Sequence, residues 1–194
     1  MKNKNLLLLL LVIFFYSCNC VETHLTVDEK SWFSVYEKGQ KIIFKSNRGN
    51  IDTIEVAEKI ETHGNKDCNW IEMGRIQEHI MYIELKTKVC HNYSYCDAEI
   101  SISKDSEDKN AFPSFRIFGL YFSKLYQKIE PQIVSVKLVN SNKIYSSTYH
   151  FESGVNADGY GIDCPKSFYW DKNEGLIKYE LNDGEVFELL KKIN

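Results

Sequence analysis

No apolar run in this sequence is long enough to cross a bilayer as a helix, which takes about 20 residues. The longest run, Leu6–Tyr16, has eleven residues and follows a start that carries Lys2 and Lys4 but no acidic residue. A basic start followed by a short apolar core is typical of a secretory signal peptide. A retained membrane helix is therefore not expected, and residues 1–17 are predicted to be a signal that is removed.

The sequence also has no excess of basic residues. It contains 24 Lys and Arg against 27 Asp and Glu, for a formal net charge of −3. The charge becomes more negative when Lys2 and Lys4 leave with the signal. Because nucleic acids are bound through basic patches, this composition argues against a nucleic-acid partner and against electrostatic binding to anionic lipid.

Sequence signatures of catalysis are missing as well. There is no Gly-x-Ser-x-Gly nucleophile elbow, no His-Glu-x-x-His helix and no phosphate-binding glycine loop. The five histidines are scattered along the chain: His24, His63, His79, His91 and His150. No catalytic residue, cofactor or metal site is predicted. An enzyme whose active site is assembled from dispersed residues remains the alternative, because such sites lie on loops and need no local motif.

The end of the signal carries the most specific pattern in the chain. Phe15-Tyr16-Ser17-Cys18 is similar to a bacterial lipobox, in which a small residue precedes the cysteine that receives acyl chains. Cys18 is preferred to Cys20 because Ser17 is small, whereas Asn19 is bulkier. The chain is therefore predicted to be a lipoprotein bound to a membrane through lipidated Cys18, with several acyl chains for stable anchoring. A plain signal peptide without lipid is the alternative.

The same flanks predict the location. Asn19 does not resemble a retention signal for the inner membrane, and no acidic cluster follows Cys18. We therefore expect an outer-membrane lipoprotein on the periplasmic side of the cell envelope. Residues 18–25 are predicted to be a tether, and residues 26–194 a single domain of ordinary size.

Five cysteines remain after Cys18, in a compartment that favours disulfide bonds. The pairing favoured by spacing joins Cys90 to Cys96 across a short loop, which leaves Cys68 to pair with Cys164. Cys20 would lie on the tether, outside the fold. A metal site built from Cys90, His91, Cys96 and His79 is not favoured, because zinc motifs usually pair ligands at short gaps twice over.

The low proline content, only three residues, and 26 aromatic residues suit a β-rich core. Alternating apolar and polar residues predict a series of strands joined by short turns. Strands are predicted at 41–45, 51–56, 81–89, 98–103, 133–139, 144–151, 175–181 and 185–189. Between 115 and 129 a strand is expected first, with an ambiguous second half. The predicted fold is mainly β, an antiparallel meander curled into a sandwich or partial barrel.

A short N-terminal helix precedes these strands. Thr26 and Glu29 have the spacing of a capping box. Trp32, Val35 and Tyr36 would then lie on one helical face, with Gly39 ending the helix. An extended edge segment is the alternative, because aromatic and β-branched residues also favour strands.

Two stretches carry a family resemblance. They are 25–32 continuing through 49–54, and 168–172 followed by 175–180 and 183–187. Both resemble small uncharacterised lipoproteins of the Bacteroidota. The resemblance covers the two ends of the domain, implies a family of unknown function and adds no activity.

The abundant aromatics and the missing motifs together favour a non-enzymatic binding or accessory protein. Its candidate partners are an envelope protein or an apolar ligand. The competing explanation is that the aromatics simply fill the core.

Overall fold

The computed structural model describes residues 20–69, 71–87, 97–123, 131–152 and 165–194. The predictions for the signal, Cys18, Cys90, Cys96 and Cys164 lie outside the described residues. Within the described residues there is one short helix, α1 (Val27–Ser31), and no helix long and apolar enough to span a bilayer. The strands are β1 (Val21–Glu22), β2 (Lys41–Ser46), β3 (Ile51–His63), β4 (Ile76–Gln77), β5 (His79–Thr87), β6 (Asp97–Lys104), β7 (Ser114–Ile117), β8 (Leu120–Phe122), β9 (Gln132–Lys137), β10 (Ile144–Glu152), β11 (Pro165–Asp171), β12 (Gly175–Leu181) and β13 (Val186–Ile193).

Eleven strands form one antiparallel sheet, in the order β8-β7-β6-β5-β3-β2-β13-β12-β11-β10-β9. Most neighbours in this order are consecutive in the chain, as expected for a meander. The sheet curls into a half-barrel. Strand β8, at one edge, reaches the opposite side of the sheet, where the ring of Phe122 lies 5.0 Å from Phe151 and 5.7 Å from Phe168 between centroids. The predicted fold class is therefore confirmed.

Aromatic side chains fill the core. Trp170, Tyr36, Tyr179, Phe33, Phe44, Phe115, Phe151, Phe168 and Phe187 are among the largest fully buried side chains. The rings of Tyr179 and Phe187 stack at 4.8 Å, as do those of Phe151 and Phe168 at 4.5 Å. Burial of such side chains removes much apolar surface from water, which is the main force that folds the domain.

The predicted capping box is present at α1. The Thr26 side chain accepts from the backbone amide of Glu29 at 3.2 Å, and the Glu29 carboxylate accepts from the Thr26 amide at 2.7 Å. The helix is shorter than the predicted amphipathic face. It ends at Ser31, and Trp32 and Tyr36 enter the core from the turns that follow.

The predicted strand pairs are present, with some differences in length. Strands β3 and β13 continue past their predicted ends, β12 has the predicted bounds, and β9 ends at Lys137 rather than at residue 139. Strands β2 and β3 pair from Lys41 with Glu55 to Lys45 with Ile51. Strands β12 and β13 pair around a turn in which Gly184 has φ +83°. Strand β11 is an element that the sequence pattern did not predict.

The segment predicted to be a tether is instead built into the fold. Strand β1 pairs in parallel with β4, and the side chains of Thr23 and Leu25 are buried. Cys20 forms a disulfide with Cys68, with 5.7 Å between their Cα atoms. Residues 20–25 therefore belong to the domain, because strand pairing, the disulfide and the buried side chains of Thr23 and Leu25 hold them to it.

This disulfide also corrects the predicted pairing of Cys68 with Cys164. Parallel pairing of β1 with β4 brings Cys20 to the loop that holds Cys68. Cys68 was rightly expected to form a disulfide, but with a different partner.

Candidate histidine site

Three histidines that are distant in sequence meet beside the N-terminal segment. His24 follows β1, His63 ends β3 and His79 begins β5. Each offers a nitrogen, and the three nitrogens lie within 4.8 Å of one another. The ring centroids are 4.5 Å apart for His63 and His79, 5.6 Å for His24 and His63, and 6.2 Å for His24 and His79. We call these three residues the histidine cluster.

Strand pairing brings the cluster together. His63 and His79 are direct partners in the antiparallel register of β3 and β5, so their side chains lie on the same face. His24 reaches them because β1 is held by β4 in the connection between these two strands. The cluster thus depends on two separate pairings.

Both ring nitrogens of His79 are engaged. Nδ1 accepts from the backbone amide of Leu25 at 3.1 Å, and Nε2 lies 2.9 Å from Oε1 of Glu61. Because an acceptor Nδ1 carries no proton, the neutral ring donates its Nε2 proton to Glu61. Burial lowers the pKa of His79, against the opposing effect of Glu61.

In each of the other two rings, at least one nitrogen makes no hydrogen bond with the described residues. His63 is half-buried, and its Nε2 lies 3.1 Å from the carbonyl oxygen of Thr23. As the donor to that carbonyl, Nε2 carries the proton, and the Nδ1 lone pair of the neutral ring accepts no hydrogen bond from the described residues. The His24 ring is exposed and makes no hydrogen bond with the described residues.

Glu61 supplies negative charge at the edge of the cluster. Its Oε1 atom accepts from Lys30 Nζ at 2.5 Å as well as from His79. The hydrogen bond from Lys30, more than that from His79, lowers the pKa of Glu61 despite some burial. Glu61 is therefore a carboxylate at neutral pH.

A buried ion pair lies next to the cluster. Lys104 Nζ is 3.1 Å from Oε2 of Glu29, and both side chains are almost fully buried. Burial alone would raise the pKa of Glu29. Hydrogen bonds from the backbone of Thr26 and Ala111 and from Lys104 lower it to about 2. This pair joins α1 to the end of β6, where Lys104 is the strand partner of His79, and so stabilises the sheet beside the cluster.

A cleft of about 310 Å³ opens beside Lys104. Its lining is mixed: Glu78, Asp105 and Lys109 supply charged groups, and Ala111 and Phe112 supply apolar surface. No histidine is among its described lining residues. The described part of the cleft is large enough to hold a small molecule.

The histidine cluster was not predicted from the sequence. The only partner considered for His79 was the segment containing Cys90, His91 and Cys96, which lies outside the described residues. His24, His63 and His79 form no spaced motif. The one signal in the chain is that His63 and His79 face each other at the ends of two strands joined by a single connection, which becomes visible only when the register is known.

Comparisons with protein-family models, curated proteins and solved structures find no match to this chain. A functional assignment therefore rests on the residues and on their geometry.

Proposed function

We propose that this chain is a lipoprotein of the cell envelope, anchored to the outer membrane through acyl chains on Cys18 and facing the periplasm. We further propose that it acts as a non-enzymatic binding or accessory protein. Its family would be the Bacteroidota-type lipoproteins that its two ends resemble, and its partner an envelope protein or an apolar ligand.

The observation that carries the anchoring proposal is the disulfide between Cys20 and Cys68. Disulfides persist in exported proteins and are rare in the cytosol, which supports export. The bond also occupies Cys20. Of the two cysteines at the end of the signal, only Cys18 then keeps a thiol for acylation, in agreement with the small Ser17 before it.

The same bond supports a close approach of the domain to the membrane. An extended chain covers about 3.3–3.6 Å per residue, so two residues span at most about 7 Å, and acyl chains on Cys18 would hold the fold close to the membrane through Cys20. Four exposed apolar side chains occur in β1, in the loop that holds Cys68 and in β4 just after it: Val21, Ile71, Met73 and Ile76. Their burial in the membrane interface would add to the acyl anchor.

The proposal of a binding role rests on the sequence, which lacks the local signatures of catalysis. The aromatic side chains do not add to it, because most of those in the described residues fill the core. The half-barrel then serves as a rigid support for surface contacts, which is how many β domains carry their function.

The anchor is tested by mass spectrometry of the N-terminal peptide from protein purified out of membranes. We expect an acylated peptide that begins at Cys18. Cys18→Ser should release the chain from the membrane fraction, whereas Cys20→Ser should leave it there. An unmodified peptide, or acylation at Cys20, would refute the proposal.

The accessory role is tested by isolating the lipidated chain from its native membrane after mild cross-linking. A stable partner is expected with the natural protein. A variant with Ile133→Asp, which changes an exposed apolar residue on the edge strand β9, tests whether the capture depends on a particular surface. Recovery of the protein alone would count against the accessory role, and turnover of a substrate in the same preparation would favour the enzymatic alternative.

A further inference from the structure

We propose that the histidine cluster binds one divalent transition-metal ion of the type that imidazole prefers, with Zn²⁺ as the test ion. The ligands would be His24, His63 and His79. This site does not depend on the lipid anchor and goes beyond the binding role proposed above.

The hydrogen bonds of His63 already match those of a metal ligand. A histidine bound to a metal usually donates its second ring N–H to a backbone carbonyl or a carboxylate, which orients the ring. His63 has such a partner in the carbonyl of Thr23, at 3.1 Å. Its Nδ1 lone pair remains for the ion.

His79 shows the same arrangement through Glu61, which accepts its Nε2 proton at 2.9 Å. The nitrogen left for a metal is Nδ1, which now accepts the amide of Leu25 at 3.1 Å. Metal binding to His79 therefore exchanges this amide for the ion. The exchange couples the site to the N-terminal segment, and it is a specific consequence of the proposal.

The ring spacings suit a common ion. With metal–nitrogen bonds of about 2.0–2.1 Å, imidazole rings around a tetrahedral ion have centroids about 5 Å apart. The observed separations run from 4.5 to 6.2 Å. One nitrogen of each ring now lies within 4.8 Å of one nitrogen of each of the other two, and three ligand nitrogens need to come within about 3.3 Å of one another. His24 is exposed, so its side chain can rotate toward the other two.

The surroundings favour a cation. The carboxylate of Glu61 contacts His79, and Oε1 of Glu107 accepts the backbone amide of His24 at 2.6 Å. Lys30 offsets part of this charge through Glu61. Because His24 lies at the surface, an ion can enter from solvent, and three protein ligands leave a fourth position for water or an exchangeable ligand.

The test is calorimetric titration of Zn²⁺ into the full chain, purified with a histidine-free tag. We expect one ion per chain and a loss of affinity of about tenfold or more in His24→Ala and in His63→Ala. His24 is exposed, so its removal should leave folding intact, and circular dichroism verifies this. His150→Ala is the matched control, because His150 stacks on Tyr169 in another part of the sheet. The zinc affinity of this variant should equal that of the natural chain.

Hydrogen exchange at the Leu25 amide provides a second measurement. Zinc should accelerate this exchange in the natural chain but not in His24→Ala at the same zinc concentration. Absence of saturable zinc binding, or equal affinity in the natural chain and both cluster variants, would overturn the proposal. Unchanged exchange at Leu25 would overturn the assignment of His79 as the third ligand.

Discussion

The hydroxyl of Tyr36 accepts a hydrogen bond from the backbone amide of Leu176 at 2.8 Å. The contact joins the turns after α1 to the beginning of β12, almost at the other end of the chain. Both residues are fully buried, and the Tyr36 ring packs edge-on against Trp170, with centroids 5.7 Å apart. This hydroxyl thus attaches the N-terminal segment to the sheet.

Replacement of Tyr36 by Phe should destabilise the domain by about 1–3 kcal/mol, because the buried amide of Leu176 then has no acceptor. Urea unfolding measures the change. Tyr145→Phe is the matched control, since the buried Tyr145 hydroxyl has no hydrogen-bond partner among the described residues, and its loss should be neutral or stabilising. Equal destabilisation by the two variants would contradict the role given to the Leu176 contact.

Gly175→Ala should be more damaging than the same change at another glycine. Gly175 has φ +78°, and a Cβ added there would overlap the Tyr36 hydroxyl. Gly39 also has a positive φ but open space around it, so Gly39→Ala should cost only the backbone strain of about 1–3 kcal/mol. Thermal unfolding of both variants checks the prediction, which fails if Gly175→Ala is the milder change.

Acid should weaken the contact between α1 and β6. The pKa of Glu29 is lowered to about 2 from its ordinary value of 4.5. A carboxyl group whose pKa is lower in the folded state stabilises fully above its unfolded pKa. That contribution is lost as pH falls from about 4.5 toward 2. Glu29→Gln should cost about 3 kcal/mol at neutral pH, because it leaves Lys104 buried without its partner.

The same variant should flatten the decline of stability below pH 4.5, measured by urea unfolding at several pH values. Asp28→Asn is the control. Asp28 pairs with Lys172 but is largely exposed, so its loss should change stability little. An unchanged acid profile in Glu29→Gln would show that the buried pair does not set it.

Asp52 should behave in the opposite way. It is buried in the sheet and accepts from Tyr179 at 2.6 Å and from Thr87 at 2.8 Å. Burial raises its pKa, against the effect of these hydrogen bonds. The charged form therefore costs stability as pH rises above the unfolded pKa.

Asp52→Asn removes this charge and keeps an acceptor for Tyr179. It should be as stable as the natural chain, or more stable, at pH 7, and the difference should shrink as pH falls toward 4. Unfolding experiments at the two pH values measure it. A stability advantage of Asp52→Asn that grows as pH falls would contradict this prediction.

The bond between Cys20 and Cys68 should contribute about 2–4 kcal/mol. Combining Cys20→Ser with Cys68→Ser isolates this contribution from that of any other disulfide, and thermal unfolding measures it. Peptide mapping without reductant should recover the two segments linked. A peptide that links Cys68 to Cys164 instead would disprove the observed pairing.

Local patterns predicted much of the fold correctly. Alternation in β3 and β5 indicated strands with one buried face, and the spacing of Thr26 and Glu29 indicated a helix cap. The sequence pattern did not predict strand β11, because its pairing with β12 has two register shifts. Its buried residues consequently do not alternate. The burial of Asp52 was not predicted either, because a carboxylate is rarely found on the buried face of a strand.

The amino-acid sequence was sufficient for features that arise within a few residues: the helix cap, the hairpin turns, the mainly β fold class and the expectation of a signal with a lipid-accepting cysteine. Hydrogen bonding and side-chain alternation at short range determine the structural features among these. The pairing of Cys20 with Cys68, the meeting of His24, His63 and His79, and the contact of Tyr36 with Leu176 required the tertiary structure. Each joins distant segments, and strand order and register select the partner from many chemically equivalent ones.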